Sequence, residues 1–248
     1  MLTLLYIFIF VFGACIGSFL NVVILRVPAG ESIVTGPSHC PHCGRKLKWY
    51  ELVPVFSFLA LRGRCSGCGE KISPQYPLVE AGNGLLWLFL FWHLGVGIYA
   101  LLVCLLASAL LALSVIDART GEIPLGINFF IFILAVVETA LDFSNWSEHL
   151  IGLFAVSILL LALYAATQGR GVGGGDIKLM AAAGLFLGWQ NIALSLFLAC
   201  VLAAAIHLLR MAAKKAGRTL AFGPYLSAGI LLALLWGDAF INWYLSLL

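Results

Sequence analysis

The chain has 248 residues, of which 62% are hydrophobic and 10% charged, with a mean hydropathy of +1.07 and a formal net charge of +3. Soluble globular domains contain about 45–50% apolar and about 25% charged residues, so this balance excludes a soluble protein and predicts one that crosses a membrane several times. The sequence contains no basic stripe with interleaved aromatic residues and no nucleic-acid motif, which argues against a nucleic-acid partner.

The apolar runs predict an all-α fold with about eight transmembrane helices, since a span requires about 20 apolar residues. The first run has no basic residue before it and no evident cleavage site, which favours a retained helix over a signal peptide. The shortest run, 177–188, also suits part of a helical hairpin that does not fully cross. The predicted spans lie near residues 2–25, 78–94, 97–116, 124–141, 149–167, 177–188, 190–209 and 222–245.

The basic residues predict how the helices are oriented, because lysine and arginine prefer cytoplasmic loops. All 14 fall in alternate connections, which are therefore assigned to the cytoplasm, while both termini are assigned to the outside. This orientation places Asp117 and Asp176 on the cytoplasmic face. The basic residues are Arg26, Arg45, Lys46, Lys48, Arg62, Arg64, Lys71, Arg119, Arg170, Lys178, Arg210, Lys214, Lys215 and Arg218.

The connection 26–77 is long enough to form a small domain, which divides the chain into a first helix (1–25), a cytoplasmic cysteine domain (26–77) and a helical bundle (78–248). The connection contains two C-x-x-C pairs separated by 21 residues, a spacing that suits tetrahedral Zn²⁺. Two disulfides or a dithiol redox pair are the alternatives. Disulfides rarely persist in the cytoplasm, and no thioredoxin-like βαβ pattern is present. We therefore predict a structural zinc site with the ligands Cys40, Cys43, Cys65 and Cys68, beside which His39 and His42 could replace a ligand.

Two aspartates lie where apolar runs meet polar residues. Asp176 follows a glycine run and Asp117 ends the third predicted helix. Each alone has an ordinary explanation, because Asp176 can cap the following helix and Asp117 can end its own. Both are predicted at the same face and depth, however, and two adjacent carboxylates tend to share one proton. Such a pair can hydrolyse a peptide bond by acid–base catalysis, without a metal or a covalent intermediate.

The glycines before Asp176 would let an extended substrate backbone approach the carboxylate closely. A nucleotide-phosphate loop is the rival interpretation, but no strand precedes the glycines and no Gly-Lys-Ser/Thr follows them. A nucleophilic hydrolase would require a motif such as Gly-x-Ser-x-Gly, which is absent. Glu80 lies at the predicted depth of the aspartates, although a glutamate near a helix N-terminus is favourable in any case. The candidate substrate-binding residues are Gly173, Gly174, Gly175 and Glu80.

The ordered set of motifs resembles the type IV prepilin peptidases, membrane aspartic proteases with a Gly-x-Gly-Asp motif. The resemblance covers nearly the whole chain. One departure is Leu125-Gly126, where many relatives carry an acidic or amide residue, and Asn128 is the candidate to take over that capping position. The matching segments are Gly13-x-x-x-Gly17-Ser18-Phe19-x-Asn21-Val22, Arg26-x-Pro28, the two cysteine pairs, Tyr76–Glu80, Asp117 with Ile123-Pro124, Gly173–Asp176 and Phe222–Tyr225.

The resemblance implies an enzyme of the bacterial inner membrane, with Asp117 and Asp176 as its catalytic residues. Such an enzyme removes, on the cytoplasmic side and after a glycine, the short basic leader of type IV prepilins or type II secretion pseudopilins. Members with four cysteines typically also methylate the new amino terminus with S-adenosylmethionine. The implied cofactors are zinc and S-adenosylmethionine, and the implied partners are the membrane-embedded pilin substrates. The sequence gives no independent sign of where the methyl donor binds.

Three other functions fit parts of the sequence. A presenilin-like protease would place both aspartates within the hydrophobic thickness and would carry no zinc-binding cysteines. A transporter would place acidic residues near the bilayer midplane and usually shows an internal repeat, and none is visible here. A metal-dependent adaptor, anchored by its helices, would keep its function after charge-neutral replacement of Asp117 and Asp176.

Overall fold

A computed structural model describes residues 2–213 and 221–247, and within these ranges the regular structure is helical, with only isolated β-bridges in the long connection between the first two long helices. This confirms the predicted all-α fold. The helices are α1 (Leu2–Arg26), α2 (Phe56–Ala60), α3 (Gln75–Leu94), α4 (Ile98–Thr120), α5 (Leu125–Leu141), α6 (Trp146–Ala166), α7 (Gly174–Leu187), α8 (Trp189–Ala212) and α9 (Gly223–Leu245).

Five helices of the described chain are long and apolar enough to cross a membrane, namely α1, α4, α6, α8 and α9. Each of the eight predicted spans coincides with a helix, but eight crossings are not confirmed. Helix α7 has only 14 residues. Since an α-helix rises about 1.5 Å per residue, α7 extends about 21 Å, which is shorter than the hydrocarbon core of about 30 Å. The suggestion that this segment does not cross alone fits its length.

The predicted orientation rests partly on Lys214, Lys215 and Arg218, which lie outside the described residues. The orientation therefore stays a prediction. The chain divides into two compact units, Met1–Ser108 and Ala109–Leu248, and the boundary falls within α4. The predicted domains 1–25, 26–77 and 78–248 were defined by where the chain is expected to cross the membrane, whereas the two units are defined by compact packing. The predicted domains therefore also stay predictions.

In the first unit, α1 and α3 pack at close range because glycines lie where the helices meet. A Cβ atom on Gly17 would lie 2.7 Å from the Cα of Glu80, and one on Gly13 would lie 2.9 Å from the Cβ of Trp87. Asn83 Nδ2 of α3 donates a 2.7 Å hydrogen bond to the Gly13 carbonyl, a contact that the close approach makes possible. Small residues thus replace bulky apolar packing as the basis of this interface.

In the second unit, α7 is the central helix, with α5, α6, α8 and α9 packed around it. Its side chains Leu179, Met180 and Ala183 are fully buried. Gly184 of α7 meets Gly152 of α6 so closely that neither position has room for a Cβ atom. Packing against four helices explains why this short segment is helical and why it is apolar after Lys178.

The glycine contacts between α1 and α3 lead to a stability prediction. Gly17→Ala should destabilise the protein, because the added methyl group would overlap backbone atoms of α3, and overpacking of this kind costs about 1–3 kcal/mol. Gly82→Ala is the matched control, since nothing lies within 4 Å of its Cβ position and alanine favours the helix. Thermal unfolding in detergent, followed by tryptophan fluorescence, should show a lower Tm for Gly17→Ala only. Equal Tm values for the two variants would contradict the packing described here.

Candidate active site and metal centre

Asp117 is a buried carboxylate near the end of α4, with 5% of its surface exposed. Its Oδ2 accepts a 2.7 Å hydrogen bond from the backbone N–H of Gly223, the first residue of α9. The N–H groups at a helix N-terminus have no partner within the helix and carry partial positive charge. Helix α9 therefore stabilises the ionised carboxylate of Asp117.

Gly223 is required by this contact. A Cβ atom at position 223 would lie 2.7 Å from Oδ2 and 3.0 Å from Cγ of Asp117, which is too close for any side chain to fit without movement. In the sequence, the segment Phe222–Tyr225 was a feature of the family resemblance only, and Gly223 was not predicted as part of the site. A glycine directly before a proline in the first turn of a helix was the available signal.

Asp176 is the third residue of α7 and is also buried, with 8% of its surface exposed. Its Oδ2 accepts a 3.1 Å hydrogen bond from the N–H of Gly173, the residue that caps the helix. Asp176 therefore contributes to the capping of α7 from within the helix, while Gly173 occupies the N-cap position that the ordinary explanation gave to the aspartate. The bond engages one oxygen of the carboxylate, so capping and chemistry are compatible at this residue.

The structure brings the two aspartates together within the second unit. Their carboxylates are close enough to interact electrostatically. Each also lies at the N-terminal end of a helix, Asp176 in α7 and Asp117 against α9. The positive ends of two helices therefore offset part of the repulsion between the carboxylates. The result is a buried acidic pair in which hydrogen bonds orient both members.

The glycines before Asp176 differ in their surroundings. A Cβ atom on Gly175 would lie 2.7 Å from the Cβ of Ile123, so this glycine permits close packing of α7 against the residues before α5. A Cβ atom on Gly173 would lie 3.1 Å from Asp176 Oδ2, whereas Gly174 has no atom within 4 Å of its Cβ position. Among the three, Gly174 is the one that borders open space.

Asn128 does not have the expected capping role. Helix α5 begins at Leu125 behind Pro124, and no side chain caps it. Asn128 instead donates a 3.2 Å hydrogen bond from Nδ2 to the carbonyl of Gly175. This residue therefore ties α5 to the start of α7, where it helps to fix the position of Asp176.

Glu80 belongs to the first unit, in contrast to the two aspartates. It is a buried residue of α3, and its Oε2 accepts a 2.7 Å hydrogen bond from the backbone N–H of Val55. The predicted role of Glu80 in binding the same substrate as the aspartates stays a prediction.

The four cysteines form a compact cluster. Their sulfur atoms all lie within 4.8 Å of one another, and Cys40 Sγ and Cys68 Sγ are 3.9 Å apart. Sulfurs at about 2.3 Å from a tetrahedral zinc ion lie about 3.8 Å from each other, so the donor set fits Zn²⁺. Neither His39 nor His42 belongs to this group within the described residues.

The two cysteine pairs have the same local structure. Each first cysteine donates its N–H to the carbonyl five residues later, with Cys40 bonded to Arg45 at 2.9 Å and Cys65 to Glu70 at 2.8 Å. Each turn also contains a glycine with positive φ, Gly44 at 67° and Gly69 at 73°. In the second pair, backbone N–H groups of Cys68 and Gly67 hold the pKa of the Cys65 thiol below its ordinary value, which favours the thiolate that a metal requires.

Glu51 connects the two cysteine pairs, a role that the sequence analysis missed. Its side chain is buried and accepts hydrogen bonds from Arg45 Nη2 at 2.7 Å, from the backbone N–H of Lys48 at 2.8 Å and from Ser66 Oγ. The bonds from Arg45, Lys48 and Ser66, in that order, lower the pKa of Glu51 to about 2, so it is ionised at neutral pH. Arg45 follows the first cysteine pair and Ser66 lies within the second, so this ionised carboxylate holds both.

The apolar helices and the buried carboxylate pair define a polytopic membrane protein with a site for acid–base chemistry. The family model described as the bacterial peptidase A24 N-terminal domain matches residues 11–94, and the model of the type IV leader peptidase family matches residues 104–208. The chain belongs to the type IV leader peptidase family.

Curated relatives support this membership over nearly the full length of the chain. The prepilin leader peptidase/N-methyltransferase of Bacillus subtilis (strain 168) is 35% identical over 245 residues, which cover 96% of this chain and 97% of the relative. The protein of the same name from Stutzerimonas stutzeri is 34% identical over 266 residues, covering 95% and 92%. That from Pseudomonas putida is 35% identical over 259 residues, covering 92% and 89%. The comparison with solved structures found no match.

The contact between Gly223 and Asp117 leads to a prediction for activity. Gly223→Ala should lower the rate of leader cleavage about 100-fold, because displacement of a reacting group by about 1 Å has an effect of that size. Gly126→Ala in α5 is the matched control, since nothing lies within 4 Å of its Cβ position. Both variants would be assayed in detergent after size-exclusion chromatography. A folded Gly223→Ala protein that cleaves within twofold of the wild-type rate would contradict the role given to this contact.

Proposed function

We propose that this chain is a membrane aspartic endopeptidase that removes the short basic leader of prepilins or pseudopilins, with Asp117 and Asp176 as its catalytic pair. The observation that carries the proposal is the buried carboxylate pair at two helix ends. Both aspartates fall in the segment that matches the type IV leader peptidase family. The names of the relatives support prepilins as the substrate class.

The acidic pair supports hydrolysis by water. One carboxylate is ionised and accepts a proton from the water molecule as its oxygen attacks the carbonyl carbon of the scissile peptide. The other carboxyl group is protonated and donates its proton to the carbonyl oxygen. The tetrahedral intermediate then breaks the C–N bond, and the leaving amine takes up a proton. The acid pair also complements the positive charge of a basic leader.

Gly174 offers a place for the substrate backbone. Its Cβ position borders open space, whereas Gly175 is packed against Ile123 and Gly173 against the Asp176 carboxylate. An extended peptide could thus approach Asp176 beside Gly174 without steric conflict. We assign Gly174 to substrate binding, and Gly173 and Gly175 to the positioning of the Asp176 carboxylate and the start of α7.

A second activity is the N-methylation of the new amino terminus, which we propose from the names of the relatives. The methyl donor would be S-adenosylmethionine. The four-cysteine cluster would hold a structural zinc ion, which supplies folding energy to a segment of about 50 residues that is too small to bury much apolar core. We place the protein in the bacterial inner membrane with both termini outside and the cysteine segment and aspartates on the cytoplasmic side, as the distribution of basic residues supports.

The experiment that tests the peptidase proposal is leader cleavage by purified protein in liposomes that contain a prepilin-type substrate. Wild-type protein should shorten the substrate after the glycine. Asp117→Asn and Asp176→Asn should each lose activity by at least about 1,000-fold, because each variant lacks one of the two proton-transfer groups. Glu122→Gln, an exposed acid in the connection after α4, is the charge-matched control. A correctly folded Asp117→Asn or Asp176→Asn variant with a near-normal rate would refute the mechanism and favour the adaptor interpretation.

The metal proposal has its own test. Protein purified without chelator should contain about one zinc ion per chain, as measured by inductively coupled plasma mass spectrometry, since four thiolates complete a tetrahedral shell. Cys43→Ser should lower the zinc content and make the remaining metal easier for a chelator to remove. Cys200→Ser, an exposed cysteine of α8, is the control and should retain zinc. Undiminished zinc in both Cys43→Ser and Cys68→Ser would exclude the four-cysteine site.

A further inference from the structure

A cavity of about 500 Å³ lies within the first unit, and the peptidase mechanism gives it no role. It is bounded by the end of α1, the cysteine segment, the short helix α2 and the start of α3. Cavities of about 300–1,000 Å³ that combine apolar walls with a few convergent polar groups bind small molecules.

The cavity has an apolar wall and a polar wall. Apolar side chains from several parts of the chain line one side of it, which suits an apolar part of a ligand. Its polar groups include three buried side chains, Asn21, Glu51 and Glu80, and the predicted metal ligands Cys40 and Cys65. The apolar side chains include Val22 and Leu25 of α1, Leu47 and Leu52 before α2, Phe58 and Leu61 of α2 and its C-terminal end, and Ile72.

Glu80 is the informative polar group, because it is a buried carboxylate without a cationic partner. Within the described residues, the ion pairs are those of Arg45 with Glu51 and of His149 with Asp142. Three cationic side chains also line the cavity. The Arg26 guanidinium donates to the carbonyls of Ser32 and Thr35 at 3.0 Å, Arg45 pairs with Glu51, and Lys71 is exposed and forms no ion pair with Glu80. A buried charge is costly unless it is paired. The cavity is therefore suited to a ligand that brings a positive charge.

The contact of Glu80 with Val55 also points to a functional site. Val55 has a φ of 63°, an uncommon conformation for a β-branched residue, and its N–H donates to Glu80 Oε2 at 2.7 Å. Backbone strain of this kind persists where surrounding groups hold it, and it is concentrated at functional sites. Val55 precedes α2, so Glu80 holds the helix that supplies Phe58 to the apolar wall.

We propose that this cavity is the site of the methyl donor, with Glu80 facing the sulfonium charge of S-adenosylmethionine and Val22 and Phe58 adjoining its adenine ring. This inference rests on the methyltransferase part of the proposed function. The cofactor combines a flat base with a fixed positive charge, and the cavity combines an apolar wall with a buried carboxylate that has no cationic partner. Beside Glu80, Asn21 Nδ2 donates to the carbonyls of Gly17 and Tyr76, and these bonds fix the wall of the cavity next to the carboxylate.

The methyl transfer that this site would serve is balanced without a further reactant. The neutral amine of the new amino terminus attacks the methyl carbon and forms an N–C bond, while the C–S bond breaks and its electron pair stays on sulfur. The positive charge moves from sulfur to nitrogen, and the resulting ammonium group releases one proton to solvent. Glu80 thus faces the positive charge before the transfer, and the neutral thioether product is held less firmly.

Binding can be tested directly with full-length, zinc-loaded protein in detergent and two probes, S-adenosylmethionine and S-adenosylhomocysteine, which lacks the sulfonium charge. Glu80→Gln retains an oxygen that can accept the Val55 N–H. It should raise the Kd for S-adenosylmethionine about tenfold, because a charge-assisted contact is lost. The Kd for S-adenosylhomocysteine should change less than about twofold. Val22→Phe should raise the Kd for both probes at least about tenfold, because the larger side chain occupies space along the apolar wall of the cavity. Glu148→Gln, an exposed acid of α6, is the control and should bind both probes normally.

The outcomes distinguish this inference from the peptidase proposal, because leader cleavage is measured on the same wild-type preparation. Protein that binds S-adenosylmethionine but does not cleave a leader would overturn the peptidase proposal and leave the cavity assignment intact. Protein that cleaves but binds neither probe would overturn the cavity assignment. The assignment also fails if Glu80→Gln weakens both probes equally, or if Val22→Phe abolishes methylation with normal binding of S-adenosylmethionine. The last result would indicate that the cavity holds the processed pilin instead.

Discussion

The hydrogen bond from the Gly223 N–H to Asp117 is the contact on which the acidic site depends. A carboxylate buried among apolar helices requires a donor, and the first turn of a helix supplies one without a positively charged side chain. The same solution appears at Asp176, which bonds to the N–H that precedes its own helix. Two helix ends thus satisfy two acids, and neither acid has to be neutralised by a lysine or an arginine that would compete for the reaction.

This arrangement also explains the residues around the pair. The approach of α9 to Asp117 leaves no room for a side chain at position 223, and the approach of α7 to Ile123 leaves none at position 175. Asn128 holds the carbonyl of Gly175 from the opposite side. The site is therefore fixed by backbone contacts, which are more rigid than contacts between long side chains. The connection 26–77 is held together differently. The ionised Glu51 joins its two cysteine pairs, and a metal-binding cluster takes the place of a large apolar core.

Much of the fold was predictable from the sequence, because apolar runs of helical length are local features. The number of crossings was not, since the length of α7 and its enclosure by four other helices depend on tertiary packing. The cysteine cluster was predicted from the spacing of the two C-x-x-C pairs and the proximity of the aspartates from the predicted topology, and the structure places the members of each group together. Gly223 and Glu51 were missed because their roles arise from contacts with residues distant in sequence, 106 positions away for Gly223 and Asp117. Asn128 was misassigned because its amide reaches a neighbouring helix rather than its own N-terminus.

Gly188 is the single residue between α7 and α8, and it adopts a left-handed conformation with φ of 79°. With ψ of 171° it interrupts the helix, so the chain changes direction between α7 and α8 within one residue. A side chain at this position would meet the unfavourable left-handed conformation that glycine tolerates. The direction in which α8 leaves α7, and with it the surface that α8 presents to α6 and α9, therefore depends on this one backbone conformation.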